Sequence, residues 1–294
     1  MKIGFLFPGQ GTQSVGMGKD LYEKYECYQN IYKKVQSITD VDIANISFKG
    51  PEEVLNKTKY TQLAILTNSL AILEILNENN IYADMSAGLS LGEYTALINA
   101  NAISFEEGVK LVQRRGEYMQ ELLPEGDWQM VAMIGINENM ANEICSRVKN
   151  GFIAPSNYNC TGQIVLSGEK NAVEEAIKIA NEIGVKKNRI LKTDGPFHTE
   201  KLKESSKALR MELNNIHINK FEKKVFKNID GEIYTKDDDV RDILANHIIN
   251  PVKFSKILDN MVQNGIDTFI EVGPRKSIIR ICKKDKNRYE IKYI

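Results

Sequence analysis

Apolar and polar positions along this chain follow two rhythms, and the change between them divides it. In the first 127 residues, short apolar runs at 2–7 and 85–87 read as strands among stretches with helical spacing. Residues 22–38 read as a helix, and Gly50-Pro51 punctuates the chain before a short helix at 52–56. Leu63, Leu66, Leu70 and Leu73 recur at helical intervals, so their helix packs into the core. Another helix is expected at 91–102. Ser104, followed by Glu106 and Glu107, offers an N-cap and an acidic first turn to a helix running to residue 123.

Pro124-Glu125-Gly126-Asp127 breaks the pattern. After it come a strand (130–136), a helix (138–148), two strands (152–158 and 164–167) joined through Thr161-Gly162, a helix (172–183) and a strand (187–192). The order βαββαβ is ferredoxin-like. Beyond Asp194-Gly195-Pro196-Phe197-His198, helices return at 200–213, 240–249 and 254–264. Short strands are expected at 224–226, near Ile233 and at 268–272. Strands alternating with helices on both sides of the insert imply a mostly parallel sheet. The expected fold is α/β. Residues 1–127 and 194–294 would form a large α/β-hydrolase-like domain, interrupted by a small ferredoxin-like domain at 128–193.

Composition narrows the functional classes. The chain has 294 residues, 42% of them hydrophobic, enough for a substantial core. Lys plus Arg equals Asp plus Glu at 39 each, so no global field draws it to nucleic acid or to a membrane surface. The best candidate for a span, residues 63–76, is broken by Asn68, Ser69 and Glu74. The apolar run after Met1-Lys2 is too short for a signal peptide. Cys27, Cys145, Cys160 and Cys282 are scattered without C-x-x-C, and only His198, His217 and His247 are present. Neither a zinc site nor a disulfide framework is expected, and a reducing cytoplasm fits.

Candidate chemistry centres on Gly88-Leu89-Ser90-Leu91-Gly92, a G-x-S-x-G nucleophile elbow if a strand enters and a helix leaves. The same stretch continues to Glu93, and Ser90-Leu91-Gly92-Glu93 is also a capping box. The glycine-rich Pro8-Gly9-Gln10-Gly11-Thr12-Gln13 fails as a dinucleotide fingerprint, because Ser14 occupies the third glycine position. It fails as a P-loop because Asp20 follows Gly18-Lys19 and Gln13 replaces a glycine. Acyl transfer needs a nucleophile, a base and oxyanion donors. Ser90 is the candidate nucleophile. His198, in a Gly-Pro turn just before a helix, is the better base; His217 and His247 have less distinctive surroundings. The N–H groups of Leu91, opening the helix, and of Gln10, between glycines, are candidate oxyanion donors.

Six motifs then come in order: Phe7-Pro8-Gly9-Gln10-Gly11-Thr12-Gln13, Gly88-Leu89-Ser90-Leu91-Gly92-Glu93-Tyr94, Arg115-Gly116 with Met119-Gln120, Asn157-Tyr158-Asn159, Gly195-Pro196-Phe197-His198 and Asn250-Pro251-Val252. Over essentially its whole length the chain resembles the malonyl-CoA:acyl carrier protein transacylases of bacterial fatty acid synthesis. That resemblance implies malonyl transfer from malonyl-CoA to the phosphopantetheine thiol of acyl carrier protein, by a ping-pong route through a malonyl-serine ester. It implies Ser90 and His198 as catalytic residues and Gln10 and Leu91 as oxyanion donors. Arg115 would pair with the malonyl carboxylate, as a guanidinium fork can. Phe197, Asn157 and Asn159 would line the substrate, and the backbone carbonyl of Lys253 would orient His198. Two positions depart from the family: Leu89 stands where a histidine is usual, and Lys253 where many relatives have glutamine.

The same resemblance implies no metal or redox cofactor, a monomer in the cytoplasm, and a carrier-protein docking surface. Lys186, Lys187, Arg189 and Lys192, or the tail at 275–288, are the basic candidates for it. Three rivals remain at this point: an acyltransferase serving a polyketide pathway, a serine thioesterase or hydrolase with the same dyad, and a carrier-binding module without catalysis.

Overall fold

The computed structural model describes residues 1–193, 195–282 and 290–293. Among the described residues the strands are β1 (Ile3–Phe7), β2 (Met85–Gly88), β3 (Trp128–Ile134), β4 (Ile153–Cys160), β5 (Gln163–Glu169), β6 (Lys187–Ile190), β7 (Lys224–Val225), β8 (Thr268–Glu271) and β9 (Glu290–Tyr293). They form two sheets. One is parallel, in the order β7-β2-β1-β8-β9; the other is antiparallel, in the order β4-β5-β3-β6.

The parallel sheet explains why its strands read as unbroken apolar runs. Phe5, Leu6 and Phe7 of β1 are fully buried, as expected of a central parallel strand covered on both faces. β1 pairs with β2 through Phe7↔Gly88 and with β8 through Leu6↔Glu271. The carboxyl ends of all three strands therefore lie together, and in open α/β sheets ligands bind at that edge.

Beside this sheet the helix Thr58–Glu78 is buried on nearly every face, polar residues included. The sequence suggested a helix with one apolar stripe. In the structure Thr67 donates to the Leu63 carbonyl at 2.7 Å, Thr61 to the Leu55 carbonyl at 2.5 Å, and Asn68 to the Tyr28 hydroxyl at 2.7 Å. Satisfied in this way, polar groups can be buried at little cost.

Other elements depart from the sequence expectation in detail. The helix expected at 22–38 is two, Lys19–Lys24 and Glu26–Thr39, separated where Tyr25 turns extended. A helix at Ile43–Lys49, capped by Asp42, had no counterpart in the sequence reading. The strand at 224–226 shrinks to Lys224–Val225, and Ile233 makes a single bridge to Phe226. The chain at 200–213 opens as a 3-10 turn before the helix Lys203–Leu213. The N-cap at Ser104 is as expected: its hydroxyl accepts from the Glu107 amide at the head of the helix Phe105–Glu121.

The two sheets are joined by hydrogen bonds as well as by chain. The Val252 amide donates to the Ser156 carbonyl at 2.9 Å, and the Tyr158 amide to the Val252 carbonyl at 2.8 Å. The edge strand β4 is thereby covered by the segment after the helix Val240–His247. Among the described residues no helix is long and apolar enough to cross a membrane.

Candidate active site

Ser90 sits in the tight turn between β2 and the helix Gly92–Asn99, with φ 54°. A non-glycine residue in the left-handed region is strained and needs support. Glycines on both sides make the turn possible. A Cβ on Gly88 would lie 1.8 Å from the Gly92 carbonyl carbon, and one on Gly92 would lie 2.1 Å from the Phe7 oxygen. Asn228 supplies the support: its Oδ1 accepts from the Ser90 amide at 2.7 Å, and its Nδ2 donates to the Gly88 carbonyl at 2.6 Å.

The capping box does not form. The Ser90 hydroxyl lies 2.7 Å from Nε2 of His198, and the Glu93 carboxylate accepts instead from the Tyr234 hydroxyl at 2.7 Å. The Glu93 amide bonds the Ser90 carbonyl, not the side chain.

His198 is buried, also at positive φ (59°). Its Nδ1 lies 2.9 Å from the His247 carbonyl oxygen. A carbonyl only accepts, so Nδ1 carries the proton and Nε2 is left to accept from Ser90. Burial, with repulsion from the neighbouring His247 ring and the Arg115 guanidinium, holds the His198 imidazole well below its ordinary pKa, so it stays neutral.

This geometry corrects the expectation for Lys253. The carbonyl that holds His198 Nδ1 belongs to His247, and the Lys253 amide instead donates to the Asn228 carbonyl at 2.8 Å. The Lys253 ammonium rests 3.8 Å over the Tyr158 ring and 3.5 Å from Glu138. The chain turns between His247 and Lys253, and the backbone of His247 and of Asn250, not that of Lys253, reaches the imidazole.

Arg115 is fully buried on the inner face of the helix Phe105–Glu121, while its neighbour Arg114 points outward to Glu117. Its Nη1 donates to Gln62 Oε1 at 2.6 Å and its Nη2 to Ser90 Oγ at 3.1 Å. The guanidinium carbon lies 5.2 Å from the Tyr94 ring centre, and the buried Nε has no hydrogen-bond partner. Among the described residues no carboxylate comes within ion-pair distance of it. Burial pulls its pKa down, yet an arginine stays protonated, so the site holds a buried cation beside Ser90 with no carboxylate in direct contact.

The remaining expected residues surround this trio. Gln10 lies in the loop after β1, its side chain donating to Thr58 Oγ1 at 3.2 Å. That loop abuts the Ser90 turn, since a Cβ on Gly9 would lie 2.5 Å from the Leu89 oxygen. Among the described residues the amides of Gln10 and Leu91 donate to no protein acceptor. Phe197 is buried in the main core next to His198. Asn157 and Asn159 lie on β4, both buried; Asn157 Oδ1 accepts from Ser156, and Asn159 Oδ1 has no partner. Among the described residues neither asparagine side chain hydrogen-bonds Ser90, His198 or Arg115.

Four contributors escaped the sequence reading: Asn228, Gln62, Glu93 and the carbonyl of His247. Gln62 was signalled weakly, as a polar residue beside the apolar positions of its helix. Asn228 had no signal, lying in a loop far away in sequence.

A family model for the acyl transferase domain matches residues 4–290. The malonyl CoA-acyl carrier protein transacylase of Bacillus subtilis (strain 168) is 36% identical over 289 residues, covering 98% of this chain and 91% of that protein. The crystal structure of malonyl CoA-acyl carrier protein transacylase from Clostridium perfringens is 40% identical, with a TM-score of 0.95 over 100% of this chain and 93% of that one. A malonyl-transacylase solved in complex with its type II PKS acyl-carrier protein is 31% identical, with a TM-score of 0.95 over 100% and 96%.

Proposed function

The chain belongs to the acyl transferase domain family, among the malonyl CoA-acyl carrier protein transacylases, and we propose that it carries malonyl groups through an ester on Ser90. It is an acyltransferase that moves the malonyl group from coenzyme A to acyl carrier protein for fatty acid synthesis.

The observation that carries the site reading is the buried Arg115 guanidinium, 3.1 Å from Ser90 Oγ and without a carboxylate of its own. A malonyl thioester offers a carboxylate on the far side of the reacting carbonyl. It would neutralise the guanidinium, whereas an uncharged acyl group would leave that cation buried and unpaired. A plain esterase has no use for this cation.

The steps follow from the hydrogen bonds. Ser90 attacks the thioester carbonyl while its proton passes to Nε2 of His198. The amides of Gln10 and Leu91 receive the oxyanion. The C–S bond breaks, and the coenzyme A sulfur leaves with the proton from Nε2. The carrier thiol then gives its proton to His198 and attacks the ester, and Ser90 recovers its proton as the tetrahedral adduct collapses. No metal or redox cofactor enters this scheme.

In this reading the Ser90 turn is a nucleophile elbow on an α/β-hydrolase-like domain of residues 1–127 and 194–294. The unit 128–193, with strand order β4-β5-β3-β6, is a ferredoxin-like insert. Asn157 and Asn159 line its side of the cleft, and Phe197 borders the acyl group. The chain works as a cytoplasmic monomer. Lys186, Lys187, Arg189 and Lys192, all exposed on or beside β6, offer a basic edge to an acidic carrier protein; Lys192 also lies 3.5 Å from Glu52. The alternative docking tail at 275–288 lies partly outside the described residues.

The likeness to a transacylase bound to a PKS carrier protein favours one second reading, service to a polyketide carrier. The experiment is mass spectrometry after brief exposure to malonyl-CoA and competing acyl-CoAs, followed by addition of each carrier protein. Malonylation of Ser90 that is discharged by a fatty acid carrier supports the proposal. An unmodified protein, or release of free malonate at equal rate without carrier, overturns it.

A further inference from the structure

Behind His198 lies a second ionisable pair that the reaction scheme does not use. The rings of His198 and His247 stack with centres 4.9 Å apart and planes 28° apart. On the other side, His247 Nδ1 lies 3.0 Å from Glu93 Oε2, and both side chains are wholly buried. The contact is close but poorly aligned for a hydrogen bond, and His247 Nε2 has no hydrogen-bond partner.

The carbonyl of His247 already holds His198 Nδ1, and any residue could supply that carbonyl. An imidazole buried without an aligned hydrogen bond needs a separate account, because burying a polar ring this way costs free energy.

The charge balance of the site supplies one. When His198 takes the Ser90 proton it becomes a buried imidazolium, facing the Arg115 guanidinium across Ser90 Oγ. Its Nδ1 partner is a neutral carbonyl where a hydrolase triad would place a carboxylate. The carboxylate that answers this charge is Glu93, reached across the His247 ring. Glu93 Oε1 is fixed by the Tyr234 hydroxyl at 2.7 Å and the Asn228 amide at 3.3 Å.

The titratable and charged groups around the pair are Arg115 from the helix Phe105–Glu121, Glu93 and Tyr94 from Gly92–Asn99, Tyr234 after β7, and His198 itself. Burial pushes the Tyr94 phenol up to about 12 and Tyr234 well above its usual value, so neither supplies charge near neutrality.

We propose that the His247 ring, with Glu93 as its counter-charge, sets how readily His198 takes and returns the Ser90 proton. Two stacked imidazoles this close do not both become cationic at the same pH. A proton on His247 therefore opposes a proton on His198, and the stacked rings act on each other through their charge. His247 is thus a positioning residue in its carbonyl and an electrostatic regulator in its ring. The low His198 pKa, caused first by burial and then by repulsion from the His247 ring, agrees with this arrangement.

This inference rests on the Ser90–His198 reading, and its test keeps the two apart. His247→Gln and His247→Asn keep the backbone carbonyl and remove the ring's charge. The readout is the pH dependence of single-turnover Ser90 malonylation in the full chain, followed by quench and mass spectrometry. The acid limb of the rate is expected to move up by about one pH unit in both variants, a tenfold lower rate at a given pH on that limb. A limb that stays in place or moves down overturns the inference. Because the position of the limb is read, the height of the plateau does not matter.

A wild-type chain that never labels would instead overturn the transferase reading. Should the variants not fold, ring-proton NMR on the wild type decides. His198 is expected to follow a curve with more than one step, with exposed loop residue His217 as reference. An independent single-step curve for His198 overturns the inference.

Discussion

Asn228 holds Ser90 by its amide: Oδ1 accepts from the Ser90 N–H at 2.7 Å while Nδ2 grips the Gly88 carbonyl at 2.6 Å. One side chain thus spans the strained turn and fixes the direction of the serine hydroxyl. Asn228→Ala should leave two buried backbone groups unpaired, at about 1–3 kcal/mol each. The melting temperature should fall by several degrees, and Ser90 malonylation by about tenfold or more. Asn228→Asp keeps the acceptor and loses the donor, so it should fall between. Scanning calorimetry and single-turnover labelling check both, and an unaffected Ala variant would mean that the turn holds itself.

Arg115→Ala should lower malonyl transfer by about a hundredfold, the loss of a charge-assisted pair worth roughly 2–3 kcal/mol. Acetyl transfer, which makes no such pair, should change far less. Initial rates with malonyl-CoA and acetyl-CoA separate the cases, and parallel losses would make Arg115 structural. Arg115→Lys should recover only part of the malonyl rate, because an ammonium cannot keep both Gln62 and a carboxylate in one plane.

The pH dependence of acylation follows from the depressed His198 pKa. The base works when neutral, and burial with nearby positive charge holds protonation off until well below pH 6.5. An ordinary histidine would lose half its activity near that pH. The wild-type acylation rate should therefore stay level through pH 6.5 and fall only in more acid solution. The same shift bears on stability: the unfolded chain gains a proton on this histidine below pH 6.5 and the folded one does not. Folding stability should decline from pH 6.5 downward until the folded value is reached, then stop declining on this account. Stopped-flow acylation and urea titrations across that range measure both.

Gly92→Ala should be far more damaging than Gly184→Ala. A Cβ at position 92 would meet the Phe7 carbonyl oxygen at 2.1 Å, and that backbone is held in β1, which leaves little room to yield. At position 184 nothing lies within 4 Å, and only the positive φ of 88° is unfavourable. The second change should cost about 1–2 kcal/mol. The first should exceed the usual 1–3 kcal/mol of overpacking and displace Ser90. Comparative thermal melts would show it, and equal melts would mean that the turn can relax.

How much of the site was legible depended on the kind of interaction. Ser90 and His198 sit in short glycine-bearing turns whose residue types are dictated by backbone geometry, so the motifs carry them. Arg115 read by itself as a solvated helix residue beside Arg114, and only the resemblance carried its role, although the helical phase marks it. Val112, Arg115, Gly116 and Met119 share the buried face of their helix, and Arg114 does not. The partner of His198 Nδ1 was placed at Lys253 and belongs to His247, because a backbone acceptor leaves no mark on residue type. Asn228 was invisible for a related reason: its contacts cross 138 residues from a loop with no periodicity. The apolar stripe on the helix Thr58–Glu78 hid a buried polar face, where Gln62 meets Arg115.

Strand β1 lies at the middle of the parallel sheet, yet one of its two neighbours, β8, is made near the end of the chain. A nascent chain that has released His198 already owns both halves of the Ser90–His198 pair. It still lacks Asn228 to brace the turn, the His247 carbonyl to set the tautomer, and β8 to close the sheet. Reactivity is therefore a late event in the life of the molecule. During synthesis the serine is an ordinary alcohol, and the nucleophilic character proposed for it can arise only after long-range contacts have closed.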